Sequence, residues 1–134
     1  MKSTIKLKAY NLQEILVVLV IIGILLLLAL PNLMPLISKA KSMEAQLQLK
    51  ALSNSQTTYR YMYSKYTVDI NELDFEAPKT EKNGGTSNYQ YEILNATNNT
   101  YKARATATTD FDGDGIFNVW EIDENGSPKQ TVKD

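Results

Sequence analysis

Residues 15–30 are aliphatic, Gly or Ala at every position, with no polar interruption. Such a run has no amphipathic period. It reads as a helix apolar on all sides, which needs lipid or other apolar helices around it. Alone it is slightly shorter than the roughly 20 residues of a comfortable helical membrane span. Extension through Ile37 reaches that length and takes in Pro31 and Pro35. Each proline lacks a backbone donor, so the helix is expected to kink or open locally there, and Gly23 lowers its stiffness.

From Ser38 to about Tyr66 the pattern becomes amphipathic. Ala40, Met43, Leu47 and Ala51 recur at three- and four-residue steps, and Lys41, Glu44, Gln48 and Lys50 supply polar surface. Tyr59, Tyr63 and Tyr66 continue the spacing as core contacts beneath a sheet. A helix from Tyr10 to about Tyr63 is on the order of 80 Å long. A small domain covers only its second half. Residues 67–88, with Pro78, Gly84 and Gly85, form a surface connection.

Beyond residue 88 the period falls to two. Tyr89–Ile93 and Tyr101–Ala107 alternate as strands, with a turn at 95–99 between them. Phe117–Ile122 gives a third strand before the Asn125-Gly126 turn, and Lys129–Val132 a short fourth. The alanines of the second strand allow close approach of a helix. The expected fold is α+β, a long amino-terminal helix with one half protruding and the other packed on a small antiparallel sheet, with residues 38–134 as its globular domain.

Charge sharpens the reading of the apolar run. Lys2, Lys6 and Lys8 precede it without an acid among them, which keeps that end cytoplasmic and sends the rest outward. Glu14 stands at its threshold, and a carboxylate there is costly unless paired. The chain of 134 residues suits one modest domain plus an anchor, and it contains no Cys and no His. That removes disulfides, the commonest general base and the commonest nitrogen metal ligand. The net charge of −1 gives no basic surface for nucleic acid. No catalytic constellation is recognisable, so a non-enzymatic role is expected.

The segment Lys6-Leu7-Lys8-Ala9-Tyr10-Asn11-Leu12-Gln13-Glu14 followed by the apolar run resembles the amino terminus of type IV pilins and of type II secretion pseudopilins. Leu12 and Glu14 match by type and spacing, Tyr10 keeps the aromatic class, and Gly23 and Pro31 fall where such proteins carry helix-weakening residues. Ala9, Asn11 and Gln13 depart from the usual Gly, Thr and aliphatic residue. The resemblance implies a leader of residues 1–9, cleavage between Ala9 and Tyr10 by a prepilin peptidase that also N-methylates Tyr10, and residues 10–37 as membrane anchor and filament core. It further implies an inner-membrane precursor that becomes a homopolymer, as a surface pilus or a periplasmic pseudopilus, with an assembly ATPase and a membrane platform as partners. Glu14 then meets the free amine of a neighbour's Tyr10. Competing readings are a secretory signal cut before Lys41, a plain uncleaved anchor, and an anchored monomeric calcium-dependent binding module.

The second chemical feature is Asp110-Phe111-Asp112-Gly113-Asp114-Gly115-Ile116-Phe117-Asn118-Val119-Trp120-Glu121. Alternate acids followed by Gly let a loop turn several oxygens onto one hard cation, and Ca²⁺ tolerates the irregular geometry. Strand-like flanks put Asn118 and Glu121 on opposite faces. The expected ligands are therefore Asp110, Asp112, Asp114 and the Ile116 carbonyl, completed by Asn118, Glu121 or Asp123. The metal-free alternative is an Asp/Gly hairpin loop whose carboxylates cap backbone donors. Asn95-Ala96-Thr97 and Asn98-Asn99-Thr100 fit a glycosylation pattern but read better as turn residues.

Overall fold

The computed structural model describes residues 11–134. The elements in order are a helix α1 (Leu12–Tyr63), two single-turn 3-10 helices (Ile70–Glu72 and Glu81–Asn83), and the strands β1 (Tyr89–Ala96), β2 (Tyr101–Ala107), β3 (Val119–Asp123) and β4 (Lys129–Val132). The chain divides into two compact units between Met34 and Pro35.

In the first unit, α1 opens with the Asn11 carbonyl accepting from the N–H groups of Glu14 and Ile15 at 3.0 and 3.3 Å. Glu14 lies in the first turn, where a negative charge complements the helix dipole. Every large apolar side chain from Leu12 to Met34 is exposed, and this is the one helix among the described residues long and apolar enough to cross a membrane. α1 runs unbroken through Pro31 and Pro35, so the expected local opening is not found. Each proline costs one intrahelical bond, and the bonds on either side carry the helix on.

In the second unit, α1 ends at Tyr63. The Arg60 carbonyl accepts from Ser64 N–H at 2.8 Å, and Ser64 takes a left-handed φ of 58°. The buried helix face is Ser42, Ala45, Leu49, Leu52, Ser53, Gln56 and Tyr59. This corrects the face expected from periodicity, since Ala40, Met43, Leu47 and Ala51 are exposed. Two polar side chains of the helix tie distant segments to it. Gln56 donates to Thr67 O at 2.7 Å and accepts from Thr67 N at 3.1 Å, which ties the chain leaving the helix back onto it. Glu44 accepts from Ser87 Oγ at 2.7 Å and from Asn88 Nδ2 at 2.7 Å, fixing the entry to β1.

The sheet is antiparallel throughout in the order β1-β2-β3-β4. Its inner face brings Tyr89, Tyr91, the alanines 103, 105 and 107, and Ile122 into one core with Leu49 and Leu52. Ala103 and Ala105 are fully buried, as the small face required for close helix approach. β1 runs three residues beyond the expected Ile93, with a bulge between Ile93 and Asn95. Tyr59 and Tyr66 are buried as expected, whereas Tyr63 is exposed and stacks on Tyr59 at 4.5 Å. The outer face is a row of alternating charge, with Glu92 opposite Arg104, Arg104 opposite Glu121, and Glu121 opposite Lys129. Arg104 and Glu121 form an ion pair at 2.7 Å.

Candidate functional site

Two features carry chemistry, one in each unit. In the first, Glu14 sits at the head of an exposed apolar helix surface. Ala9 and Tyr10 lie outside the described residues. Gly23 is inside α1, and a Cβ added there meets nothing within 4 Å. Pro31 is exposed on the same helix.

The second feature is the loop between β2 and β3. Asp110 turns inward and its carboxylate accepts from the N–H of Asp112 at 3.2 Å, of Gly113 at 2.7 Å and of Gly115. Asp112 accepts from Asp114 N–H at 3.0 Å, and Asp114 from Ile116 N–H at 2.8 Å. This succession of Asx turns needs left-handed residues between the acids. Gly113 and Gly115 supply them with φ of 86° and 88°. The Gly115 N–H is the main cause that holds the Asp110 carboxyl below the usual carboxylate range, against partial desolvation and with help from the other loop amides. For Asp112 the balance is reversed. The Asp114 N–H pulls its carboxyl down, but desolvation and the charges of Asp114, Asp134 and Asp110 together push it up.

Asp134 joins this loop from just beyond β4, the strand paired with β3. Its Oδ2 accepts from Phe111 N–H at 2.7 Å, and its Oδ1 is buried with no hydrogen-bond partner. One carboxylate oxygen from each of Asp110, Asp112, Asp114 and Asp134 lies within 4.8 Å of the others. The other expected side-chain ligands have partners of their own. Asn118 is fully buried, donating to Ser42 Oγ at 2.7 Å and accepting from Gln130 Nε2 at 3.1 Å. Glu121 pairs with Arg104 on the outer sheet face. Asp123 caps the next turn by accepting from Asn125 N–H at 3.0 Å. Ile116 contributes its N–H to Asp114 and exposes its side chain.

Asp134 was outside the loop pattern, but the strand pairing carries a signal for it. Val119 pairs with Val132, so two further residues bring the chain back beside the loop that precedes β3.

No family model matches the chain. A search of known proteins finds the type IV major pilin protein PilA of Myxococcus xanthus (strain DK1622), 31% identical over 77 residues. This match supports the type IV pilin family. It covers 58% of this chain and 35% of that pilin, so the chain spans about a third of its relative's length. The observed architecture, one long amino-terminal helix packed on a four-stranded antiparallel sheet, is pilin-like.

Proposed function

We propose that this chain is the structural subunit of a type IV pilus, made as an inner-membrane precursor, cut between Ala9 and Tyr10, N-methylated at Tyr10 and polymerised with residues 10–37 in the filament core. The observation that carries the reading is the fully exposed apolar surface of α1 up to Met34, led by Glu14. That surface suits lipid before assembly and identical helices after it. Burial against neighbours contributes about 25 cal/mol per Å² of apolar surface removed from water. The similarity to a type IV major pilin favours a pilus over a secretion pseudopilus. An enzymatic role plays no part in this reading.

Cleavage at Ala9 makes Glu14 the fifth residue of the mature chain and frees an amine on Tyr10. In the proposed filament Glu14 neutralises that amine on a neighbour, which sets the register. Peptidase, assembly ATPase and platform follow as partners from the same reading. The test is mass spectrometry of the membrane-extracted protein together with electron microscopy of sheared surface material. A mature start at Tyr10 and filaments are expected. A start at Lys41, or an intact Met1 with no filaments, refutes the reading.

We further propose that the β2–β3 loop holds Ca²⁺ through Asp110, Asp112, Asp114 and Asp134. Support comes from the orphaned, buried Oδ1 of Asp134 amid three other carboxylates, a hard-oxygen donor set suited to Ca²⁺. Asn118, Glu121 and Asp123 drop out of the ligand set because each has other partners. A hundredfold excess over the dissociation constant stabilises the folded domain by about 2.7 kcal/mol. The melting point of the full chain in detergent should rise in Ca²⁺ relative to chelator, and Asp112→Ala with Asp114→Ala should abolish the rise. No change between Ca²⁺ and chelator leaves an acidic turn and ends the metal proposal.

A further inference from the structure

In the unit formed by residues 35–134, the β2–β3 loop is seated on the first turns of the helix. Ser38 Oγ donates to the Asp134 carbonyl at 3.4 Å, Lys41 Nζ stands 4.5 Å over the Phe111 ring, and Asn118 donates to Ser42 Oγ at 2.7 Å. The loop therefore lies at the height of helix residues 38–42. These contacts begin one residue after Ile37, where the apolar stretch of the helix ends, and Leu36 and Ile37 are both exposed. From Ser38 to Ser42 the helix advances about 6 Å. One interfacial layer of a bilayer is of similar thickness, about 5–7 Å.

The loop carries three large apolar side chains. Phe111 is buried, whereas Ile116 and Phe117, adjacent in sequence, are 46% and 44% exposed. The next residue, Asn118, is fully buried and bonded to Ser42, which fixes the exposed pair close to the helix. Left-handed Gly113 and Gly115 and the carboxylate caps on the Gly113 and Ile116 N–H groups hold the loop backbone, so covering the pair would cost little further freedom. Single exposed apolar residues are ordinary on any protein surface. What distinguishes this pair is its height, beside the point where the apolar helix gives way to polar sequence.

A bilayer surface is a plane, so it requires side chains at one depth and not a contiguous patch. Residues 15–37 make a stretch of about 23 residues, within the roughly 17–25 of a helical span, with Glu14 at one boundary and Ser38 at the other. We propose that in the membrane-held precursor the β2–β3 loop rests in the outer headgroup layer, with Ile116 and Phe117 buried among lipid where the headgroups meet the acyl chains. The proposal rests on the membrane-anchored reading of α1 and adds a second, peripheral contact of the chain with the same bilayer. Lipid is the occupant because the span tethers the loop at the membrane surface, where a weak contact suffices. Charge does not drive it. Lys39 and Lys41 at this height favour lipid phosphate, and the exposed Asp112 and Asp114 oppose them. Those carboxylates stay hydrated in the headgroup layer, which limits the depth of the loop, and the apolar pair carries the contact. Extraction for assembly then has to release the loop as well as the span.

The chain contains no cysteine, so one introduced thiol takes one fluorophore. The full chain is placed at one copy per phosphatidylcholine nanodisc, so that no neighbouring subunit can cover the pair, and in chelator, so that no cation alters the charge of the loop. Quenching by lipids spin-labelled near the headgroup is then read. Thr109→Cys, exposed in the same loop, reports its depth with the apolar pair intact. Asn98→Cys is the control, exposed in the turn whose Thr97 carbonyl accepts from Tyr66 N–H beyond the carboxyl end of α1. The Thr109 label should be quenched several-fold more than the Asn98 label. Ile116→Ser with Phe117→Ser should remove most of that excess while the melting point in detergent stays unchanged, and Phe117→Trp should preserve it. If the serine pair disturbs folding, Ile116→Ala with Phe117→Ala is read in the same way. Quenching at Thr109 no stronger than at Asn98 overturns the docking. So does quenching that the substitutions leave undiminished, since the tether alone would then hold the loop near lipid. A Leu25→Cys label, read with lipids spin-labelled deep in the acyl chain, tests the reading beneath. No quenching at Leu25 refutes the membrane span itself, whereas quenching at Leu25 without the loop effect refutes only the docking.

Discussion

The two parts of α1 share one backbone conformation and differ in everything that stabilises them. Up to Met34 the large apolar side chains are exposed, so nothing among the described residues covers them. From Ser42 to Tyr59 the helix has a buried face with polar members, Ser42, Ser53 and Gln56, beside Ala45, Leu49 and Leu52. The apolar part is stable through surroundings supplied from outside. The amphipathic part owes its stability to its own sheet. Mutations should thus separate sharply into those that alter assembly and those that alter folding.

The largest effect is expected at Glu14. Glu14→Ala should leave the precursor membrane-bound and its domain melting unchanged while filament yield falls at least tenfold. Removing one partner of a buried pair typically costs about 3–5 kcal/mol. Microscopy with quantitative blotting checks it, and a normal yield would show that the acid is not an assembly determinant.

Leu52→Ala should do the reverse. A fully buried leucine in the core costs about 2–5 kcal/mol on truncation. Leu25→Ala, on the exposed part, should leave thermal unfolding of the detergent-solubilised chain unmoved. Equal losses from both would break the contrast between the two parts.

Gly85 offers a smaller test confined to the second unit. A Cβ there would clash with the Lys79 carbonyl, backbone that cannot swing away. Gly85→Ala should therefore cost about 1–3 kcal/mol in denaturant unfolding, whereas Gly23→Ala, with open space around it, should not destabilise α1 and should raise its helix propensity.

The smallest effect is an alkaline one. Burial raises the Tyr101 hydroxyl from 10.0 to about 12, and burial likewise raises Tyr91 and Tyr89. Groups with raised folded pKa values contribute stability that is complete below the unfolded value and is lost as pH rises through the folded one. Unfolding should become easier progressively from pH 10 toward 12. Absorbance at the tyrosinate band should show part of the tyrosines titrating only with unfolding. Full titration of all tyrosines near pH 10 in the folded chain would contradict their burial.

Much of this division was legible in the sequence. Loss of periodicity over residues 15–30 marked the exposed helix, and the change to period two marked three of the four strands closely. The amphipathic face was misread for a physical reason. The helix carries two apolar stripes, Ala45-Leu49-Leu52 toward the sheet and Met43-Leu47-Ala51 toward the outside, and periodicity reports apolar positions without saying which neighbour covers them. Ser42 and Gln56 are buried because their partners, Asn118 and Thr67, are brought to them by the fold. The acidic loop was visible as a run of alternating acids, but Asp134 reaches it only through the pairing of β3 with β4. Asn118 fits a ligand pattern by spacing, but the fold buries it as a bridge between Ser42 and Gln130.

The seam between helix and β1 has one more property. Glu44 is a carboxylate whose recorded donors are all uncharged, the Ser87 hydroxyl and the Asn88 backbone and side-chain amides. Short contacts of this kind are inside the Debye length at any ordinary ionic strength and have no countercharge to screen. Dissolved salt should accordingly leave the join between helix and sheet within a subunit intact.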